Sequence, residues 1–267
     1  MLNNVFLKSL RDDRWPMLWW ALGLGLFAAM IIAFFPNIRG NDDFNVMLES
    51  YPEDLMALFG LTELTDITSA VGFLNAEVFG FMAPLLFVIH GVVQGSGAIA
   101  GEEGRGTLEI LLTEPITRGK LVAQKAAAML TNSVLLGLVL WVVLVVGAQA
   151  IDMDVSVVRL AAITFSTVLL GVTFGALAFC AGCFTGKRST SVAIVASAAV
   201  ATYLLNAASG IVSYMAAAKW LSPFFYYNGA NPLANGLHPA HTAVLLATIT
   251  ILLGAGYFGF TRRDLRL

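Results

Sequence analysis

The sequence predicts an all-α fold, an integral membrane bundle of six transmembrane helices forming a single domain over residues 1–267. Three observations predict it. Hydrophobic residues make up 58% of the chain and charged residues only 12%, with a mean hydropathy of +0.80. A soluble domain carries about 25% charged residues, so lipid rather than water must cover much of this surface. Six continuous apolar runs are each long enough to cross a hydrocarbon core of about 30 Å at about 1.5 Å per residue. Finally, Lys and Arg concentrate on alternate connections between those runs, the asymmetry that orients membrane helices.

The runs cover about residues 15–35, 79–100, 126–150, 157–184, 190–215 and 240–260. They are continuous rather than alternating, which excludes barrel strands. The first is too long for a signal-peptide core, and no small-x-small cleavage site follows it at Pro36-Asn37-Ile38-Arg39, so it is expected to remain as helix 1. Ahead of it, Val5, Phe6, Ser9 and Leu10 share a helical face with Leu2. That pattern predicts an amphipathic helix along the membrane surface before Pro16 opens helix 1. The connection over about 36–78 is acidic, and Phe44, Met47, Leu48, Tyr51, Leu55 and Phe59 recur at helical spacing around Pro52, predicting one or two short surface helices. Pro84 is expected to kink helix 2. Between Lys219 and Pro239, a cluster of Trp220, Phe224, Phe225, Tyr226 and Tyr227 precedes Asn-Gly and Pro turn signals. This predicts an interfacial aromatic belt or a short re-entrant element.

Of the fifteen Lys and Arg, only Arg39, Arg159 and Lys219 fall on one side of this topology. The other twelve lie on the N-terminal stretch, the connections after helices 2 and 4, and the C-terminal tail, which places both termini in the cytoplasm of a cell membrane.

The most informative connection is Gly101-Glu-Glu-Gly-Arg-Gly-Thr-Leu-Glu-Ile-Leu-Leu-Thr-Glu-Pro115-Ile-Thr-Arg118-Gly-Lys120. Thr107 is a candidate N-cap, and Glu109 sits in the first turn, where it favours the helix dipole. Leu108, Leu111 and Leu112 form one apolar stripe, and Pro115 disfavours helical geometry at Glu114. The result is a helix over about 107–114, roughly 12 Å long. Such a helix either rests in the lipid interface or docks into a groove on a soluble partner.

At these residues the chain resembles the type-2 ATP-binding-cassette (ABC) exporter permease family. The family's acidic pair, its Gly-Thr-Leu-Glu-x-Leu-Leu run and its following Pro, small polar residue, Arg and Lys are matched by Glu102, Glu103, Gly106, Thr107, Leu108, Glu109, Leu111, Leu112, Pro115, Thr117, Arg118 and Lys125. The basic amphipathic start, Ser222-Pro223-Phe224 and the Phe260-x-Arg-Arg-Asp264 ending extend the likeness. The resemblance implies that the loop is a coupling helix gripped by an ABC ATPase subunit, two copies per transporter. A second permease chain, most simply an identical one, would complete a twelve-helix exporter of drug-like, lipid-like or peptide cargo, with helices 2 and 5 lining the path. No cofactor is expected on this chain, and ATP and Mg would sit in the partner. No Gly-x4-Gly-Lys-Ser/Thr loop is present to cradle phosphates. Its nearest match, Gly182-Cys-Phe-Thr-Gly186-Lys187-Arg188, is one residue short and ends a membrane helix.

Polar groups within the runs are costly in lipid and therefore functional candidates. His90 and Gln94 lie one turn apart on helix 2, beside Gly91-x3-Gly95, a step that lets another backbone approach closely. They either line a translocation path or hydrogen-bond across a helix pair, and Tyr203 and Asn206 on helix 5 carry the same two readings. Gly171-x3-Gly175 reads as a packing step. Cys180-x2-Cys183 lies in an apolar helix without further ligands, and His238 and His241 flank Pro239, so neither pair reads as a metal site. A membrane-embedded enzyme would need an acid/base constellation at one depth, and a secondary transporter would need buried ionisable groups and inverted repeats. Neither pattern is legible. Nucleic acid is not an expected partner; the lipid bilayer is.

Overall fold

The computed structural model describes residues 4–41, 43, 46, 66–108 and 116–263. Among them all regular structure is helical, and six helices are long and apolar enough to cross a membrane: Arg14–Asn37, Ala70–Gly104, Arg118–Ala150, Val157–Thr185, Arg188–Gly210 and Pro239–Arg262.

The chain begins with α1 (Val5–Asp12), capped by Asn4, whose side chain accepts from the Leu7 amide. Val5 and Ser9 face inward and Leu7 outward, the amphipathic pattern expected. The helix is also tied to the bundle, because the Val5 amide donates to Gln124 Oε1 at 2.9 Å. Asp13 links it to α2 (Arg14–Phe34), the first span, in which Pro16 sits in the first turn, where its missing N–H is harmless.

Span 2 starts earlier and ends later than the 79–100 expected. Ser69 caps α3 (Ala70–Leu74) by accepting from the Gly72 amide at 3.1 Å. A π-helical turn, Asn75–Phe79, carries Glu77 within the helix rather than in the preceding loop. The axis breaks at Gly80-Phe81, and α4 (Met82–Ser96) then continues. Pro84 therefore lies in the first turn of α4, where no helical bond is lost, and the break precedes it. A second π-helical turn, Gly97–Gly101, leads to helical residues 102–104. The predicted surface helices around Pro52 lie outside the described residues.

Span 3, α5 (Arg118–Ala150), starts eight residues before the expected 126, because Thr117 caps it at the Lys120 amide and Lys125 is accommodated inside the protein. Span 4, α6 (Val157–Thr185), is the axis of the bundle: α4, α5, α10 and α7 all pack on it, and 83% of its most apolar stretch is buried. Gly186, at φ +65°, ends it, so the nearest approach to a phosphate loop is a helix C-cap. Span 5, α7 (Arg188–Ile211), ends before the 215 expected and passes into a 3₁₀ stretch, Ser213–Leu221. Two short helices come next, α8 (Pro223–Asn228) and α9 (Pro232–Asn235), before span 6, α10 (Pro239–Arg262).

The tightest crossing joins α4 to α6. A Cβ at Gly91 would lie 2.1 Å from the Gly171 carbonyl oxygen, and one at Gly95 would lie 2.1 Å from that of Gly175. The two small-residue steps legible in the sequence face each other. Small residues let backbones meet where lipid supplies no hydrophobic drive between helices.

The aromatic segment folds back against spans 2 and 4. Tyr227 on α8 is buried, and its hydroxyl donates to the Phe79 carbonyl at 2.8 Å, while Ser166 Oγ donates to the Tyr227 carbonyl at 2.7 Å. Burial pushes the Tyr227 phenol up from its ordinary value. Tyr227→Phe strands the Phe79 carbonyl, and is expected to cost about 1–2 kcal/mol, read as a lower Tm by scanning fluorimetry in detergent.

Candidate functional site

At the end of the bundle that carries the basic residues, two ion pairs flank the foot of span 2. The extra residue in a π-helical turn shifts the register of the helix beyond it, and Glu102 emerges facing inward, 8% exposed. Its carboxylate accepts from Lys125 Nζ at 2.7 Å and from the Thr107 hydroxyl, which also donates to the Glu102 carbonyl. Arg105 stands 3.8 Å away at the surface. Thr107 is therefore not the N-cap expected. It is already helical, follows Gly106 at φ +71°, and turns its hydroxyl back onto Glu102.

Glu103 forms a second ion pair with Arg263, just beyond α10, and Arg263 also donates to the Cys183 carbonyl at 3.0 Å. On the other side of the loop, Arg118 donates to the Arg263 carbonyl at 3.1 Å. Both feet of the segment 104–117 are thus bonded to the bundle. Leu108 is 2% exposed and packs in a core cluster with Val5, Ile99, Leu121, Met129 and Phe260, so it is an inward anchor rather than an outward contact. Glu109, Leu111, Leu112 and Pro115 lie outside the described residues.

A cavity of about 440 Å³ opens beside this foot, between α1, α2, α4 and α5. Asp13 on its wall accepts from Asn132 Nδ2 at 2.9 Å. Burial holds the Asp13 carboxyl above its ordinary range, against the opposing pull of Lys125 and Asn132. Asp13 and Asn132 are 119 residues apart, and nothing local in the sequence pairs them. Arg263 is legible in the sequence only as part of the basic ending.

The intramembrane candidates divide into two places. His90 is fully buried, edge-on to Trp20 of α2 at 5.3 Å, with neither ring nitrogen bonded among the described residues. Gln94, half-buried, reaches Met17 Sδ of the same helix at 3.9 Å. Both therefore face span 1. Tyr203 packs instead between Phe81 and Phe224, with ring centroids at 5.9 and 5.2 Å, and Asn206 is half-buried one turn on. Cys180 and Cys183 are free thiols, and the rings of His238 and His241 lie tilted against each other with centroids 4.5 Å apart. No group of three His, Cys, Asp or Glu side chains is placed for a metal among the described residues.

Six spans, four of them packed on a central fifth, with an ion-paired loop between spans 2 and 3, define a multi-pass α-helical membrane protein. The family model for the ABC-2 family transporter protein matches residues 4–265. The chain belongs to that family, as a membrane permease component of an ABC transporter, and the family implies an ABC ATPase partner. No curated protein matches the chain.

Proposed function

We propose that this chain is the permease of an ABC exporter and that the segment 104–117 is where an ATPase subunit grips it. The observation that carries this reading is the bonding of both feet of that segment, Glu102 to Lys125 and Glu103 and Arg118 to Arg263. Force applied to this loop passes along the chain into spans 2 and 3, and the contacts of Glu103 and Arg118 with Arg263 carry it to span 6 as well. The charge bias supports a cytoplasmic location for this end and for both termini.

Two permease chains, identical in the simplest assembly, would bind two ATPase subunits that hold ATP and Mg. Closure of the ATPases would push the two loops and rock the bundles so that a drug-like, lipid-like or peptide cargo leaves outward. Only 17% of the most apolar stretch of α7 is buried, and Ile194, Val200 and Leu204 face away from the bundle, which leaves a face for the second chain. Tyr203 and Asn206 would lie along the path. His90 and Gln94, facing α2, would register its movement rather than touch cargo.

Leu111→Asp, within the apolar stripe that the sequence predicts for this segment, is expected to leave a monodisperse membrane protein while cutting co-purified ATPase by about tenfold or more, as loss of a central interface contact does. Full retention of the ATPase in the pull-down would overturn the docking role.

A further inference from the structure

We propose that the cavity between α1, α2, α4 and α5 holds the phosphate of an anionic phospholipid headgroup from the leaflet at the basic end. The inference goes beyond the transport reading and needs no ATPase.

The cavity is rich in donors, and its buried acceptors are already engaged. Lys8, Ser9, Arg105, Lys125 and Arg188 line it. Its carboxylates are Glu102, Asp13 and Asp12. Glu102 already accepts from Lys125 and Thr107, and Asp13 accepts from Asn132. Asp12 is exposed at the end of α1. Ser9 Oγ is buried, in a residue 6% exposed, and has no partner among the described residues. Lys125 is equally buried, and its ammonium has three N–H groups, of which the described residues engage one, at Glu102. Buried donors are normally satisfied. An oxyanion with several acceptor oxygens could accept from both, and Lys8, Arg105 and Arg188 line the same cavity.

The walls identify the source of the phosphate. Trp20, Val93, Ala98 and Met129 continue the cavity along the spans, which accommodates the glycerol and the first methylenes of an acyl chain but gives nothing to a free ion. Trp15 and Trp19 lie exposed on the same turns of α2, the placement of aromatic side chains at a headgroup level. Basic pockets between spans on the cytoplasmic side suit anionic headgroups. An acidic side chain of a partner protein is disfavoured, because Ser9 and Lys125 lie deep and only 6% exposed.

The test uses the purified full-length chain without ATPase. Its tryptophan fluorescence is titrated with dihexanoyl phosphatidylglycerol, with dihexanoylglycerol as the phosphate-free control, and with inorganic phosphate. Phosphatidylglycerol should give a saturable change that is lost in Trp20→Phe. Lys8→Gln/Arg188→Gln should weaken binding about tenfold and Ser9→Ala a few-fold, the scale of lost charge-assisted hydrogen bonds. Native mass spectrometry gives an independent readout: wild type should keep an anionic phospholipid through mild delipidation, and the double variant should not. Equal binding of dihexanoylglycerol, inorganic phosphate binding as tightly as the lipid, or a double variant within twofold of wild type would each overturn the proposal.

Discussion

Lys125→Met is expected to destabilise the protein by about 3–5 kcal/mol, because it leaves the Glu102 carboxylate buried without its cation. The two side chains are 6% and 11% exposed and 2.7 Å apart, so solvent screens the pair little. Adding Glu102→Gln should recover most of the loss, since the uncompensated charge rather than the missing attraction causes it. Thermal unfolding in detergent, followed by scanning fluorimetry, reads both variants. A double variant no more stable than Lys125→Met would show that the pair does something other than neutralise a buried charge. The surface pairing of Arg105 with Glu102, at 3.8 Å and with Arg105 57% exposed, predicts little change for Arg105→Ala in the same assay.

Gly91→Ala is expected to be as damaging, at about 3 kcal/mol or more. The added Cβ would lie 2.1 Å from the Gly171 carbonyl oxygen, and the obstacle is backbone, which cannot rotate aside. The whole α4–α6 crossing would have to open. Gly175→Ala belongs to the same crossing but meets its nearest atom at 3.1 Å, and Gly97→Ala meets nothing within 4 Å. The expected order of damage is therefore Gly91, then Gly175, then Gly97. The fraction of monodisperse protein after extraction, together with Tm, measures it. An equal loss at Gly91 and Gly97 would mean that the crossing does not set the cost, since helix propensity alone favours Ala at both positions.

Most of the architecture is legible in the sequence because lipid imposes it. The need for about 20 apolar residues per crossing and the sidedness of Lys and Arg predict six spans, and all six are found. The differences lie where a charge reads as the end of a span. Lys125 is costly in lipid and sets the expected start of span 3 at 126, yet Glu102 lets the helix extend back to Arg118. Glu77 similarly hides the start of span 2. The rest of the candidate site is illegible for a different reason. The contacts of Lys125, Asp13 and Arg263 join residues 23, 119 and 160 positions apart, and no local spacing encodes such distances. Leu108 is legible as apolar, but its spacing does not say whether its stripe faces the bundle or a partner. His90 likewise reads as polar and intramembrane, whereas its contact with Trp20 depends on how α2 is rotated.

The 33 residues of α5 form one unbroken helix, about 50 Å from end to end. It is attached to α1 through Gln124 near its start, and its far end lies beside Asp152, whose carbonyl Arg39 holds. A stiff strut of that length behaves as a seesaw. Tipping it by about 5° around its midpoint displaces each tip by about 2 Å in opposite directions, given the rise per residue. A push at one face of the membrane would therefore emerge at the other face reversed in sense.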